Sequence, residues 1–252
     1  MSLSFKGGDV IGLINCKDNQ KYDKKLIRIN TDEDLGADEY EFTNKCKIQV
    51  LPSVKMVERL YVAGPSGSGK SYFISKWLGA NRKIFRNKHK KDIYIFSRID
   101  YDQPLDKFNP IRPSLDSLID EPYTGEMLEN CIVIFDDIDS ISDRGIKQAV
   151  YDLQTDLLTT GRHFNITVIC TNHMIYNRQE TKRTINESTS TVIFPKSGQT
   201  YQIKQFLKTY CGFEKLMINK IMGLKSRWVC IRRVYPMCII HEKGAFLASM
   251  EI

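Results

Sequence analysis

The sequence predicts an α/β fold: a mainly parallel central sheet flanked by helices, with antiparallel β-structure at the C-terminal end. Three observations predict it. Short, continuous apolar runs at residues 57–63, 131–135 and 166–170 have the pattern of strands buried on both faces, as in parallel sheets. Stretches with apolar residues at helical spacing separate such runs, so strand and helix alternate as in βαβ units. Near the end of the chain the alternation stops, and short apolar segments follow one another through turns.

The elements follow in order. Residues 1–52 read as an N-terminal segment with short strands, and residues 53–252 as the main domain with its C-terminal β extension. Residues 25–30 and 47–51 are the strand candidates of the first segment, the second stopped by Pro52. Residues 31–41 carry Asp32, Glu33, Asp34, Asp38, Glu39 and Glu41 and read as an exposed acidic loop. Residues 57–63 form a buried strand. Residues 70–78 form a helix with Phe73, Ile74, Trp77 and Leu78 on one face, ended by Gly79. Residues 92–99 are a second buried strand. Residues 100–125 hold Pro104, Pro110, Pro113 and Pro122 and read as a connection with short helical pieces. A third strand covers 131–135. An amphipathic helix covers 145–160, with Ile146, Ala149, Val150, Leu153, Leu157 and Leu158 on one face. Strands at 166–170 and 191–194 follow, then helices at 201–210 and 214–222. Segments 228–234, 237–241 and 245–248 close the chain as antiparallel β-structure, with a turn at Lys243-Gly244.

Composition bounds the function. The chain has 252 residues, 42% hydrophobic and 27% charged, enough to bury a core without metals or disulfides. No apolar run approaches the ~20 residues needed to cross a bilayer, and the first five residues are too quickly polar for a signal peptide. A cytosolic, membrane-free setting is expected. The seven cysteines include no Cys-x-x-Cys pair, so a reducing compartment is expected too. Cys170 and His173 have ligand-like spacing, but no second pair completes a zinc site. A net charge of +7 permits a polyanionic partner without requiring one.

The strand at 57–63 runs into Gly64-Pro65-Ser66-Gly67-Ser68-Gly69-Lys70-Ser71, and a helix follows. This is the phosphate-binding loop. Glycines let the backbone N–H groups turn towards the phosphates, and the helix presents its positive end to them. Lys70 is placed to reach the β- and γ-phosphates of ATP, and Ser71 to give a hydroxyl to Mg²⁺. The strand at 131–135 ends in Asp136 and Asp137. Asp136 is the expected Mg²⁺ ligand, and Asp137 the base that orients the attacking water. Asp139 is a weaker alternative for the base. The chain between Lys70 and Asp136 leaves room for the extra strand at 92–99, which argues for the P-loop division of motors, recombinases and ring ATPases. Asn-Lys-x-Asp is absent, against a GTPase. No Leu-Ser-Gly-Gly-Gln-like run precedes Asp136, against a transporter-type ATPase.

The strand at 166–170 leads into Thr171-Asn172-His173. A strand lying between the two motif strands ends beside the γ-phosphate, so Asn172, with Thr171, is the candidate sensor of hydrolysis. Arg162 follows the amphipathic helix. It can serve as an arginine finger in a neighbouring subunit's site, or simply as a cation at a helix C-terminus. Arg144, Arg178 and Arg183 are its rivals.

Together these residues resemble the DNA-packaging ATPases of the FtsK–HerA superfamily, in the branch of poxviruses and other large DNA viruses. Four features carry the resemblance: the phosphate loop, the Ile134-Phe135-Asp136-Asp137 strand end, Gly161-Arg162-His163 with Asn165 two residues on, and Ser226-Arg227-Trp228. They span about residues 57–245. The resemblance implies an ATP-driven motor that moves double-stranded DNA, working as a homo-oligomeric ring of five or six subunits against viral capsid or portal components. It implies a location in the host cytoplasm at sites of virus assembly, and in the virion. It makes Arg162 the family arginine, acting across a subunit interface. The family usually carries Glu as the base where this chain has Asp137.

Two basic runs are candidates for DNA contact: residues 82–91, and the loop with Arg178, Lys182 and Arg183. Two other readings compete with a DNA motor. One is a ring ATPase that remodels proteins, whose hallmark helical lid is replaced here by predicted β-structure. The other is a nucleotide-gated assembly component with little turnover, which the complete Lys70, Asp136 and Asp137 set disfavours.

Overall fold

The computed structural model describes residues 1–17, 21–30, 36–43, 45–53, 55–84 and 92–248; for 81–84 and 178–180 it describes the backbone alone. The described strands are β1 (Ser2–Ser4), β2 (Asp9–Cys16), β3 (Leu26–Asn30), β4 (Glu39–Glu41), β5 (Cys46–Val50), β6 (Arg59–Ala63), β7 (Ile93–Ser97), β8 (Ile132–Asp136), β9 (Thr167–Asn172), β10 (Ser190–Ile193), β11 (Val229–Arg232), β12 (Cys238–His241) and β13 (Gly244–Leu247). The helices are α1 (Lys70–Ile84), α2 (Gln103–Asp106), α3 (Arg144–Thr160), α4 (Arg178–Glu187), α5 (Thr200–Thr209) and α6 (Lys215–Gly223). The chain folds as two compact units, one of Val57–Ser188 and one of Met1–Met56 with Thr189–Ile252.

In the first of these units, β6, β9, β8 and β7 lie side by side in that order, all parallel. β8 and β9 are buried at every residue, as uninterrupted apolar strands must be. The helix α3 packs through Val150, Leu153, Leu157 and Leu158, whose burial contributes about 1.5–3 kcal/mol each. Asp143 caps it, Oδ1 accepting from the Ile146 N–H at 2.9 Å. The strand at 93–97 fills the chain between the two motif strands, but in the sheet it lies outside β8. The strand inserted between β6 and β8 is β9. Gly79 does not end α1. Ala80 beyond it is buried, and a glycine in a helix interior costs only about 1 kcal/mol, too little to stop a helix with a packed face. The loop expected around 178–183 is instead the start of α4, where Lys182 and Arg183 are exposed.

The other unit contains a four-stranded antiparallel sheet in the order β1-β3-β2-β5. It also contains an antiparallel run β4-β13-β12-β11-β10, with α5 and α6. The division therefore differs from the expected break at residue 52: the N-terminal strands belong with the C-terminal β-structure. Within that unit Glu39–Glu41 pairs with β13, which makes these acidic residues a strand rather than a loop. Residues 31–35 of the expected loop lie outside the described residues. The other correction is chemical. Cys16 and Cys46, level with each other on β2 and β5, form a disulfide, which the expectation of a reducing compartment did not foresee. Two cysteines 30 residues apart give no sequence signal of strand pairing.

Candidate active site

The strand register assembles the site at the carboxyl edge of the parallel sheet. Ala63 is level with Asn172, and Asp136 with Ser97. Phe135 is level with Cys170, which brings Asp136 beside Thr171 one residue on. The phosphate loop leaves this edge from β6. Gly67 and Gly69 take φ values of 74° and 106°, a region that side chains resist, and the Gly64 N–H donates to the Asn172 carbonyl at 3.1 Å. Ser68 Oγ is buried without a partner. No acidic residue occupies the first turn of α1, so its positive end is left for an anion.

Lys70, 7% exposed, donates from Nζ to the Gly64 carbonyl at 3.0 Å and pairs with Asp137 Oδ2 at 3.2 Å. Asp137 stands in the left-handed region, φ 46° and ψ 42°, which an aspartate tolerates better than most residues. That turn swings its carboxylate off the line of β8 towards Lys70. His173 approaches the same oxygen, Nε2 to Oδ2 at 3.4 Å. The His173 loop is anchored by Tyr61, whose single hydroxyl proton is shared between the carbonyls of Met174 and Ile175, at 2.9 and 3.2 Å.

Thr171, wholly buried, joins the two carboxylates. Its Oγ1 accepts the Asp137 N–H at 2.9 Å and lies 2.9 Å from Asp136 Oδ1 and 3.0 Å from Asp137 Oδ1. It has one proton, so it donates to one carboxylate at a time. Ser97 Oγ donates to the other Asp136 oxygen at 3.3 Å. Burial, and next the charge of Asp137, push the Asp136 carboxyl above the usual carboxylate range, with the Thr171 bond pulling against them. Burial raises Asp139 in the same way. One oxygen or nitrogen each of Asp137, Asp139 and His173 lie within 4.8 Å of one another.

The buried, raised Asp136 is a carboxylate short of positive charge, with hydroxyl oxygens around it. These are the hard oxygen donors that Mg²⁺ takes, and Ser71, which follows Lys70 in the phosphate loop, offers a further hydroxyl, so the residues fit that ion.

The structure thus brings together Lys70, Asp136, Asp137, Thr171 and the backbone of Asn172, whose side chain is buried. It does not bring Arg162 to them. Arg162 lies in the short helical turn Gly161–Phe164 that precedes β9, exposed to solvent. The six-residue strand separates that turn from the site edge by roughly 20 Å at about 3.3 Å per residue. Arg144 is exposed at the opening of α3. Of the first basic run, residues 85–91 lie outside the described residues, as do the side chains of 82–84 and Arg178. Cys170 does not join His173: its thiol is buried against α3, where Gln154 Nε2 approaches it at 3.2 Å. Sequence reasoning missed Ser97 and the His173 contact. Ser97 ends a strand, but only the register shows that it faces Asp136.

Fold and site together define a nucleoside-triphosphatase of the P-loop class. No protein-family model matches the chain. It is 34% identical over 227 residues to the uncharacterized protein V3 of Sputnik virophage, covering 89% of this chain and 91% of that protein, and it belongs to the same family. Among solved structures it is similar to the pCW3 conjugation coupling protein TcpA with ATPγS, at a TM-score of 0.53 and 10% identity, over 92% of this chain and 77% of that one. It is also similar to the genome packaging NTPase B204 of Sulfolobus turreted icosahedral virus 2 with AMPPCP, at a TM-score of 0.49 and 14% identity, over 74% of this chain and 98% of that one. The α/β fold expected from the motifs is borne out.

Proposed function

We propose that this protein is an ATP-hydrolysing motor that translocates double-stranded DNA and packages a viral genome into its capsid. The observation that carries the ATPase reading is the meeting of Lys70 and Asp137 at 3.2 Å beside Asp136, at the mouth of the phosphate loop. The DNA reading is supported by the four motif matches in the sequence and by kinship with a virophage protein.

The backbone N–H groups of the loop and the first turn of α1 bind the phosphates. Lys70 leaves Asp137 for the β- and γ-phosphate oxygens, and Asp137, so released, accepts a proton from the attacking water. Ser71 and Asp136 would hold Mg²⁺, which when bound would supply neutralisation of the phosphate oxygens. Asn172 hydrogen-bonds the water or the γ-phosphate. Arg162 lies too far from its own chain's site to serve it, which supports a role in a neighbour's site within a homo-oligomeric ring of five or six subunits. The ring works with capsid or portal components in the host cytoplasm, at the site of virus assembly, and is carried into the virion.

The test is ATP turnover by the full chain with and without duplex DNA at low salt. Stimulation by duplex, with binding that weakens as salt rises, is expected. Turnover indifferent to DNA, together with no salt-sensitive binding, would refute the motor.

A further inference from the structure

The net charge is not spread over the chain. Residues 195–233 hold nine lysines and arginines (Lys196, Lys204, Lys208, Lys215, Lys220, Lys225, Arg227, Arg232 and Arg233) against one acid, Glu214. That stretch carries +8 where the whole chain carries +7, so the other 213 residues together carry −1. Residues 82–91 hold six more cations and no acid, so the stretch at 195–233, which spans α5, α6 and the segment after them in one unit, is one of two basic concentrations in the chain.

Some of these cations are occupied. Arg232 is buried and Arg233 half-buried, desolvation pulling its guanidinium down. Lys220 pairs with Glu39 at 2.7 Å and lies over the Phe246 ring, and Lys196 Nζ donates to the Met222 carbonyl at 3.0 Å. Lys204, Lys208, Lys215, Lys225 and Arg227 are exposed, and among the described residues none of their side chains meets a carboxylate.

Their placement is not that of a scattered solvated surface. On α5, Ile203, Phe206 and Leu207 point into the core, so Tyr201, Lys204 and Lys208 share the opposite face at three- and four-residue spacing. Tyr201 is 77% exposed at the start of that stripe. Lys208 closes α5 and Lys215 opens α6, so the two flank one short connection. Lys215 is oddly placed for a helix. A cation at an N-terminus opposes the helix dipole, and the N-cap residue Glu214 is the one acid beside it. A surface that gathers unpaired cations in this way repels itself until a polyanion covers it.

We infer that the α5–α6 face, with Lys204, Lys208, Lys215, Lys225 and Arg227, is a docking surface for the phosphate backbone of duplex DNA. This rests on the motor reading and says where the substrate is held. The contacts are point charges on flexible stems, which position a backbone without reading bases. Tyr201 is the one exposed aromatic ring of α5, too few for stacking along a single strand, so the duplex is the favoured form.

The test replaces Lys204, Lys208, Lys215 and Lys225 together by Gln in the full chain. A control variant changes four exposed lysines of the connection between β2 and β3 instead (Lys17, Lys21, Lys24 and Lys25 to Gln), removing the same charge. Binding to a random-sequence duplex is measured by fluorescence anisotropy across a salt series, with thermal melts confirming the fold. Each lost phosphate contact lowers the slope of log affinity against log salt by about 0.9, so the four-lysine variant should lose about 3–4 from the slope and at least tenfold in affinity. Its turnover without DNA should match the wild type, and the control should bind as the wild type does. If wild type binds steeply and the four-lysine variant binds equally well, the surface is wrong and the motor reading stands. A control that loses as much as the test variant also overturns the surface. If wild type binds no duplex, both fail. If the same lysines instead drive binding to phosphatidylserine vesicles and leave duplex binding unchanged, the partner is wrong.

Discussion

Replacing Thr171 by Val tests the architecture of the site most directly. The change keeps the branched shape of a wholly buried strand residue and removes one hydroxyl. That hydroxyl accepts the Asp137 N–H and hydrogen-bonds one of two carboxylates. Leaving a buried N–H without its acceptor costs about 1–3 kcal/mol, and losing a bond to an ionised carboxylate about 1.5–3 kcal/mol. The added methyl returns about 1 kcal/mol. The net expectation is a loss of roughly 2–4 kcal/mol at neutral pH, read by urea unfolding from the fluorescence of buried Trp77. The loss should depend on pH. Burial holds the Asp136 carboxyl above its ordinary range, so its charged form destabilises the fold. The stability linked to this group is full below the ordinary carboxylate range and falls as pH rises through the raised folded value. The Thr171 bond opposes that rise, and Val removes it. The gap between variant and wild type should therefore be smallest in acid and widest at neutral pH. Thr171→Ser, which keeps the hydroxyl, should cost at most about 1 kcal/mol and keep the wild-type pH profile. A Val variant as stable as wild type, or with an unchanged pH profile, would show that Thr171 does not join the two carboxylates.

Asp137→Asn should retain Mg·ATP affinity and lose at least about a hundredfold in turnover; equal turnover would remove Asp137 from the chemistry. Lys70→Ala should abolish Mg·ATP binding in isothermal titration, and retained affinity would show that the loop is not the nucleotide site. Arg162→Ala and Asp137→Asn chains should each be nearly silent alone and recover part of the turnover when mixed, because each supplies what the other lacks. A mixture that stays silent, or an Arg162→Ala chain active alone, removes the arginine from a neighbour's site. Breaking the Cys16–Cys46 disulfide with reductant should lower stability by about 3–4 kcal/mol, the chain-entropy value for a 30-residue separation, measured as a shift in the urea midpoint. The same treatment of a Cys16→Ser/Cys46→Ser chain should change nothing.

The sequence made the P-loop unit largely legible because its strands are short, apolar and bounded. β6, β8 and β9 announce themselves, and the residues at their ends carry the chemistry. What stayed hidden depended on register. Ser97 is an ordinary serine until β7 is laid against β8. Asp137 looks like the next residue of a strand until its left-handed turn points it at Lys70. The N-terminal strands were harder for a different reason. Gly12 and Asn15 interrupt the apolar pattern of β2, and β1 is three residues long, so neither periodicity nor length marks them. Their partners lie far along the chain, as with β4 and β13, and a pairing across two hundred residues leaves no local trace. A charge run such as 82–91 is conspicuous in a sequence, whereas the α5–α6 cations are dispersed at helical spacing and stand out only through the scarcity of acids around them.

β9 has a mechanical consequence of its own. It is enclosed along all six residues and laced to β6 on one side and β8 on the other. It cannot slip by a single residue without turning its side chains to the wrong faces, and it has no room to buckle. It therefore behaves as a short stiff rod. One tip holds the turn that bears Arg162, and the other holds Thr171, Asn172 and His173. A displacement imposed on the first tip therefore arrives at the second undiminished, with no moving lever.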